Sequence, residues 1–187
     1  MILFSGGGDF SVWMSREEIG ISESEGNQYQ PSSDLLFFVL KRLKPNSGDR
    51  IIDIGCGKGR SMYIMSKFDF ATIFGYDIST DLVIIANQNF YKLKLNKCIA
   101  EYGDAANYSK YDDYNYFYIS NSVPEHVFRK MLDNIYCSLD GKPRKAFMIY
   151  MNPVCDGMIR SDGRFRLMFT QNHLIKWYSF NVYVHVL

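Results

Sequence analysis

The sequence predicts an α/β fold, a mostly parallel sheet covered by helices and finished by an antiparallel hairpin at one edge. Three observations carry this reading. Between residues 29 and 153, short β-rich runs alternate with helical runs, the pattern of strands joined by crossover helices. The run Ile51-Ile52-Asp53-Ile54 passes through a glycine-rich turn directly into a helical pattern. Beyond Asn152-Pro153 the alternation gives way to two β-rich runs with no full helix between them.

Taken in order, residues 1–28 form a mobile N-terminal arm or lid, and residues 29–187 a single domain. From Ser5 to Gln28 the arm is polar, glycine-bearing and acidic, with one short helix expected around Ser15 to Ile19. Ser32-Ser33-Asp34 opens a helix carrying Leu36, Val39, Leu40 and Leu43 at helical spacing, and Pro45-Asn46-Ser47-Gly48 ends it. Arg50 to Ile54 reads as a buried strand, and Gly59 to Phe68 as a helix with Met62, Met65 and Phe68 inward. Ala71 to Asp77 is a second strand; Ser79 or Thr80 caps the helix of Leu82, Ile85, Ala86, Phe90 and Leu93. A weaker strand spans Cys98 to Tyr102 and a strong one Tyr114 to Ser120. Ser122-Val123-Pro124-Glu125 fits a capping box ahead of a helix with Phe128, Met131, Leu132 and Ile135 buried. Lys145 to Met151 is a fifth strand, and Arg164 to Thr170 with Trp177 to Val186 make the hairpin.

Composition narrows the function. With 21 Lys and Arg against 20 Asp and Glu, no net field attracts a polyanion, so a binder working through phosphate neutralisation is disfavoured. Cys56, Cys98, Cys137 and Cys155 are scattered without a Cys-x-x-Cys pair, suggesting neither a zinc site nor a disulfide framework. Met1-Ile2-Leu3-Phe4 is too short and lacks the basic lead of a signal peptide, and no apolar run reaches membrane-spanning length. A cytoplasmic protein without a membrane partner is expected. The 14 Tyr promise a core of large rings whose hydroxyls need partners.

The glycine turn, Asp53-Ile54-Gly55-Cys56-Gly57-Lys58-Gly59, lies where an open α/β sheet binds ligands, at the carboxyl edge of the strands. Glycines let backbone approach a ligand, and the helix start offers free N–H groups. The dinucleotide fingerprint Gly-x-Gly-x-x-Gly fails: counting from Gly55 its third position is Arg60, and counting from Gly57 it is Met62. Asp53 would repel a pyrophosphate and suits an ammonium group. Asp77, closing the second strand, can accept both hydroxyls of a ribose. Asp104, in Gly103-Asp104-Ala105, can receive the exocyclic amine of a purine while Ile78 covers the base. Ammonium, ribose and adenine in that order describe S-adenosylmethionine.

On these residues the segment 29–153 resembles a class I S-adenosylmethionine-dependent methyltransferase: Asp53 to Gly59 is similar to its first motif, Asp77 to its ribose-binding acid, and Gly103-Asp104-Ala105 to its adenine-binding motif. The resemblance implies a Rossmann-like seven-stranded sheet in the order 3-2-1-4-5-7-6, with helices on both faces. It also implies cofactor contacts from Tyr29, Asp53, Gly55, Cys56, Gly57, Gly59, Asp77, Ile78, Asp104, Ala105 and Asn121. A narrower resemblance, through Tyr29-Gln30-Pro31-Ser32 and Tyr118-Ile119-Ser120-Asn121, is to small bacterial methyltransferases and more distantly to the non-SET histone lysine methyltransferases. It implies that the segment before the first helix folds over the cofactor and that Asn121 lies near the transferred methyl as the catalytic candidate. The chain departs after Asn121, where Ser122-Val123-Pro124 replaces the Asn-Pro or Asn-Asn and aromatic of such relatives.

The expected activity is therefore methyl transfer from S-adenosylmethionine, leaving S-adenosylhomocysteine, to an N or O nucleophile of a small molecule or a protein side chain. The Asn/Asp-Pro-Pro-aromatic motif of nucleic-acid amino-methyltransferases is absent. Two other classes stay open: a non-catalytic S-adenosylmethionine-binding regulatory module and, against the glycine spacing, a nicotinamide-dependent oxidoreductase. Cys56 reads as a small filler of the turn and His126 as a surface histidine. No residue set suggests a metal.

Overall fold

The computed structural model describes residues 7–186; the Met1-Ile2-Leu3-Phe4 start and the first six positions of the expected arm lie outside the described residues. Helix α1 (Leu35–Leu43) forms where Leu36, Val39 and Leu40 recur on one face, and all three are buried. It stops at Lys44, which turns left-handed at φ 53° and bonds back to the Leu40 carbonyl ahead of Pro45.

Strand β1 (Arg50–Ile54) is buried along four of its five residues, as a central parallel strand must be. Helix α2 (Arg60–Met65) and strand β2 (Thr72–Asp77) complete the first crossover. Ser79 caps α3 (Thr80–Lys92) by accepting from the Leu82 N–H, and β3 (Cys98–Tyr102) follows. Then come β4 (Tyr116–Ile119), α4 (Glu125–Gly141), β5 (Phe147–Met151), α5 (Asp156–Asp162), β6 (Phe165–Gln171) and β7 (Phe180–His185).

The strands form one seven-stranded sheet in the order β3-β2-β1-β4-β5-β7-β6. The four pairs from β3 to β5 are parallel, while β7 is antiparallel to β5 and to β6, so the terminal hairpin closes the edge as expected. Alternate residues of each strand face two separate cores. Ile51, Ile73 and Ile149 pack beneath α1, α2 and α3, with Leu36, Met62 and Phe90. Ile52, Ile54 and Met148 pack beneath α4 and α5, with Phe128, Met131, Ile135 and Ile159. Where this second face runs out under β2, tyrosines take the place of a helix. Tyr76 stacks on Tyr108 at 4.3 Å between centroids, and the buried Tyr76 and Tyr111 hydroxyls bond each other at 2.7 Å.

Three local expectations are corrected. Residues 16–20 form a hydrogen-bonded turn rather than a helix, because Gly20 at φ 69° ends it. The capping box before α4 does not form: Pro124 is the cap residue, and the Ser122 hydroxyl donates instead to the Ile54 carbonyl across the sheet edge. Helix α5 is an element the sequence pattern does not announce, since its seven residues carry only Ile159 into the core. Phe68 is half-buried beyond the end of α2. Among the described residues no helix is long and apolar enough to cross a membrane.

Candidate active site

The chain reverses its winding between β1 and β4, and the carboxyl ends of those strands form the switch point where such sheets bind ligands. A cavity of about 240 Å³ occupies that point, lined by Gly55, Cys56, Gly57, Tyr76, Asp77, Ile78, Ala105, Asn121 and Tyr29 among others. Of the residues singled out in the sequence, Asp53, Gly59 and Asp104 do not line it.

Gly55 and Gly57 are required by position. Both are left-handed, at φ 74° and 53°; a methyl group on Gly55 would strike the Ser122 side chain, and one on Gly57 would lie 2.5 Å from the Tyr29 ring. Gly57 also donates its N–H to Asp77 Oδ2 at 2.8 Å, and Ser79 donates its N–H to Asp77 Oδ1 at 3.0 Å. Burial raises the Asp77 carboxyl above its ordinary range, and these backbone bonds oppose the rise. The acid is thus held by the loop it faces, with lone pairs left over.

Asp53 is fully buried beside the cavity-lining Ser61, whose hydroxyl donates to its Oδ2; its Oδ1 has no partner among the described residues. Desolvation pushes this carboxyl up to about 7, against the Ser61 bond and with help from Asp77. Asp104 is half-buried and bonded within its own turn, accepting from the Ala106 N–H at 2.9 Å and from Asn107 Nδ2 at 2.6 Å. The flanking Gly103 and Ala105 are the residues that reach the cavity.

The N-terminal segment covers this edge. Tyr29 pairs with Met14 in an antiparallel bridge, and its hydroxyl donates to the Phe10 carbonyl at 2.8 Å. Ser79 Oγ donates to the Ile19 carbonyl at 2.8 Å, and the buried Lys58 pairs with Asp9 at 3.1 Å. Two of the arm's acids serve its own turns: Glu18 accepts from the Ser15 N–H and Glu25 from the Ser22 N–H, each at 2.8 Å, and these bonds lower both carboxyls.

Asn121 ends β4 in the left-handed region at φ 52°, where asparagine is tolerated. Its carbonyl accepts from Asn27 Nδ2 at 2.7 Å, and its Oδ1 accepts from Tyr150 Oη at 3.4 Å. Asn121, Asn27 and Val123 also line a second, adjoining hollow of about 500 Å³ bounded by α4 and α5. Sequence reasoning missed Asn27, Ser32, Arg60, Ser61, Ser122 and Asn152 in the first cavity. Asn152 had a signal: it directly follows a strand pattern and precedes Pro153, as Asn121 follows the pattern of β4, and both adopt positive φ.

The strand order, the terminal antiparallel pair and a glycine-walled cavity at the switch point together define a class I S-adenosylmethionine-dependent methyltransferase. A family model described as a methyltransferase domain matches residues 45–143, more than half of the chain, and the chain belongs to that family. Its cofactor is S-adenosylmethionine. No curated protein matches the sequence. Solved structures that share the fold include a TehB-like SAM-dependent methyltransferase from Corynebacterium glutamicum, at 18% identity and TM-score 0.58, covering 81% of this chain and 87% of that one. A SAM-dependent methyltransferase from Aquifex aeolicus aligns at 15% identity and TM-score 0.60, covering 81% and 89%. An RNA methyltransferase from Salinibacter ruber in complex with S-adenosylhomocysteine aligns at 15% identity and TM-score 0.61, covering 83% and 92%.

Proposed function

We propose that the first cavity holds S-adenosylmethionine and that a methyl acceptor with an N or O nucleophile, on a small molecule or a protein side chain, enters beside Asn121. The residues fit the cofactor on two counts. A fully buried carboxylate oxygen, Asp53 Oδ1, lacks a partner among the described residues, as expected of a group awaiting a cation. The left-handed backbone at Gly57 leaves no room for a side chain against Tyr29, so main chain itself forms the wall.

In this reading Asp53, with Ser61, faces the ammonium end and Asp77 takes the ribose hydroxyls. Ile78 and Ala105 flank the adenine, and Asp104 accepts from its exocyclic amine. Gly55, Cys56 and Gly57 form the backbone wall, and Gly59 lets α2 start behind it. Tyr29 and the arm act as a lid. The bound cofactor supplies an activated methyl group, so no strong base or metal is required of the protein. Asn121, steadied by Tyr150, orients the nucleophile; the arm excludes water.

One observation carries the placement of the acceptor: Asn121 lines both the cofactor cavity and the larger hollow beyond it. The test screens amines, phenols and lysine peptides for S-adenosylhomocysteine release, then repeats turnover with Asn121→Ala. A fall in kcat of about tenfold or more is expected, with S-adenosylhomocysteine affinity kept within about threefold. Unchanged kcat would contradict the assignment.

A further inference from the structure

The hollow beyond Asn121 continues along α4 as a groove. Arg129, Met158 and Ser161 line both it and a further hollow of about 260 Å³ that ends at Tyr136. Glu125, Arg129, Asp133 and Tyr136 fall at intervals of four, four and three residues, one stripe of the helix facing α5. From Glu125 to Tyr136 the stripe is roughly 16 Å long at 1.5 Å per residue.

The charges on this stripe are unspent. The side chains of Glu125, Arg129 and Asp133 are exposed and stand at i, i+4 spacing, yet among the described residues none of the three side chains forms an ion pair or hydrogen bond. Asp162, the remaining acid of the groove, is already paired with Arg164 at 2.6 Å. At the far end the Tyr136 hydroxyl is buried with no hydrogen-bond partner among the described residues, although Tyr136 lines the hollow. Arg164, whose guanidinium lies 4.7 Å over the Tyr136 ring, is already paired with Asp140 and Asp162. A groove that carries the unpaired Arg129 guanidinium along its length and an unsatisfied buried hydroxyl at its end points to a ligand that supplies acceptor atoms.

Resting on the reading of the first cavity as the cofactor site, we infer that this groove binds the methyl acceptor and that the acceptor is a small amino carboxylate. Its amine lies at the neck between Asn27 and Asn121, flanked by Glu125. Its carboxylate lies one helical turn further on, against the fork of Arg129, with Tyr136 closing the far end. Read from the neck, Glu125 precedes Arg129 and sets this polarity, while Asp133 one turn past Arg129 repels a carboxylate that would reach further. The ammonium first loses one proton to solvent. The amine lone pair then forms the N–C bond as the methyl's bond to sulfur breaks and its electron pair stays on sulfur, giving a methylammonium and S-adenosylhomocysteine.

The test is equilibrium binding, at saturating S-adenosylhomocysteine, of ω-amino carboxylates from glycine to 6-aminohexanoate and of the corresponding amides. At least one chain length is expected to bind tenfold or more tightly as the carboxylate than as its amide. That preference disappears in Arg129→Gln, an exposed site whose exchange leaves the core intact, and Tyr136→Phe weakens the longest members severalfold. Equal binding of acids and amides, no binding of either, or a preference that survives in Arg129→Gln overturns the inference. Binding of a lysine peptide without carboxylate discrimination overturns it in favour of a protein acceptor. The S-adenosylhomocysteine titration is read separately, so a protein that binds the nucleoside but no carboxylate loses this inference alone.

Discussion

Asn27 and Asn121 are joined across the mouth of the cavity: the Asn27 side chain donates to the Asn121 carbonyl at 2.7 Å, and the Asn27 N–H donates to the neighbouring Ser122 carbonyl at 3.0 Å. The N-terminal segment is thereby sewn to the end of β4, at two of the residues shared by both hollows. Asn27→Ala removes the side-chain bond, worth about 1 kcal/mol. The expected outcome is a severalfold rise in KM for S-adenosylmethionine with little change in thermal stability, measured by initial rates and calorimetry.

Lys58 makes the second attachment. Its side chain is almost fully buried inside the glycine loop, and its ammonium pairs with Asp9 while lying 5.5 Å from the Tyr29 ring centroid. Lys58→Met keeps the apolar stem and removes the charge, so the loop keeps its packing while Asp9 loses its hold. Limited proteolysis is expected to cut between residues 9 and 28 several times faster in this variant, and an unchanged digestion pattern would count against the arm's dependence on Lys58.

Gly57→Ala tests the wall of the cavity. The new methyl group meets the Tyr29 ring at 2.5 Å and sits at φ 53°, costing on the order of 1–3 kcal/mol of backbone strain and displacing the ring. Reduced thermal stability and at least tenfold weaker S-adenosylhomocysteine binding are expected together. Tyr29→Ala in the same background removes the clash and restores part of the stability.

Asp53 gives the site a pH signature. Burial raises its carboxyl from 3.8 to about 7, so the native state holds a proton that the unfolded chain has already lost. Stability therefore falls as pH rises from about 4 to about 7, at up to about 1.4 kcal/mol per pH unit, and Asp53→Asn flattens that slope. A bound ammonium favours the ionised carboxylate, so cofactor affinity rises between pH 6 and 8 in the wild type and is flat in Asp53→Asn. Chemical denaturation and calorimetry across that range measure both.

The parts of the site legible in the sequence are those whose meaning is local. Gly55, Gly57 and Asp77 stand out because a strand, a turn and a helix start fix their geometry within a few residues, and the strands themselves announce their order by alternation. Ser61 and Arg60 lie on the same turn but read as ordinary helix residues. Their place at the cavity is set by where α2 lands, against Asp53 and Asp34. Ser122 looked like a cap because Glu125 follows at capping-box spacing; the Ile54 carbonyl, 68 residues away, outcompeted the helix end for its hydroxyl. Helix α5 was hidden by its brevity, and with it the wall of the second hollow. Asp104 does not line the cavity, though Gly103 and Ala105 on either side of it do, and its turn uses its carboxylate in a way only the fold reveals.

Binding of S-adenosylmethionine by Asp77 and the glycine loop is best measured by isothermal calorimetry of the wild type beside Asp77→Ala. The wild type is expected to bind S-adenosylmethionine and S-adenosylhomocysteine with micromolar affinity, and Asp77→Ala, still folded, to bind at least tenfold more weakly. Failure of the wild type to bind either at high micromolar concentration, or equal affinity in the two proteins, would contradict it.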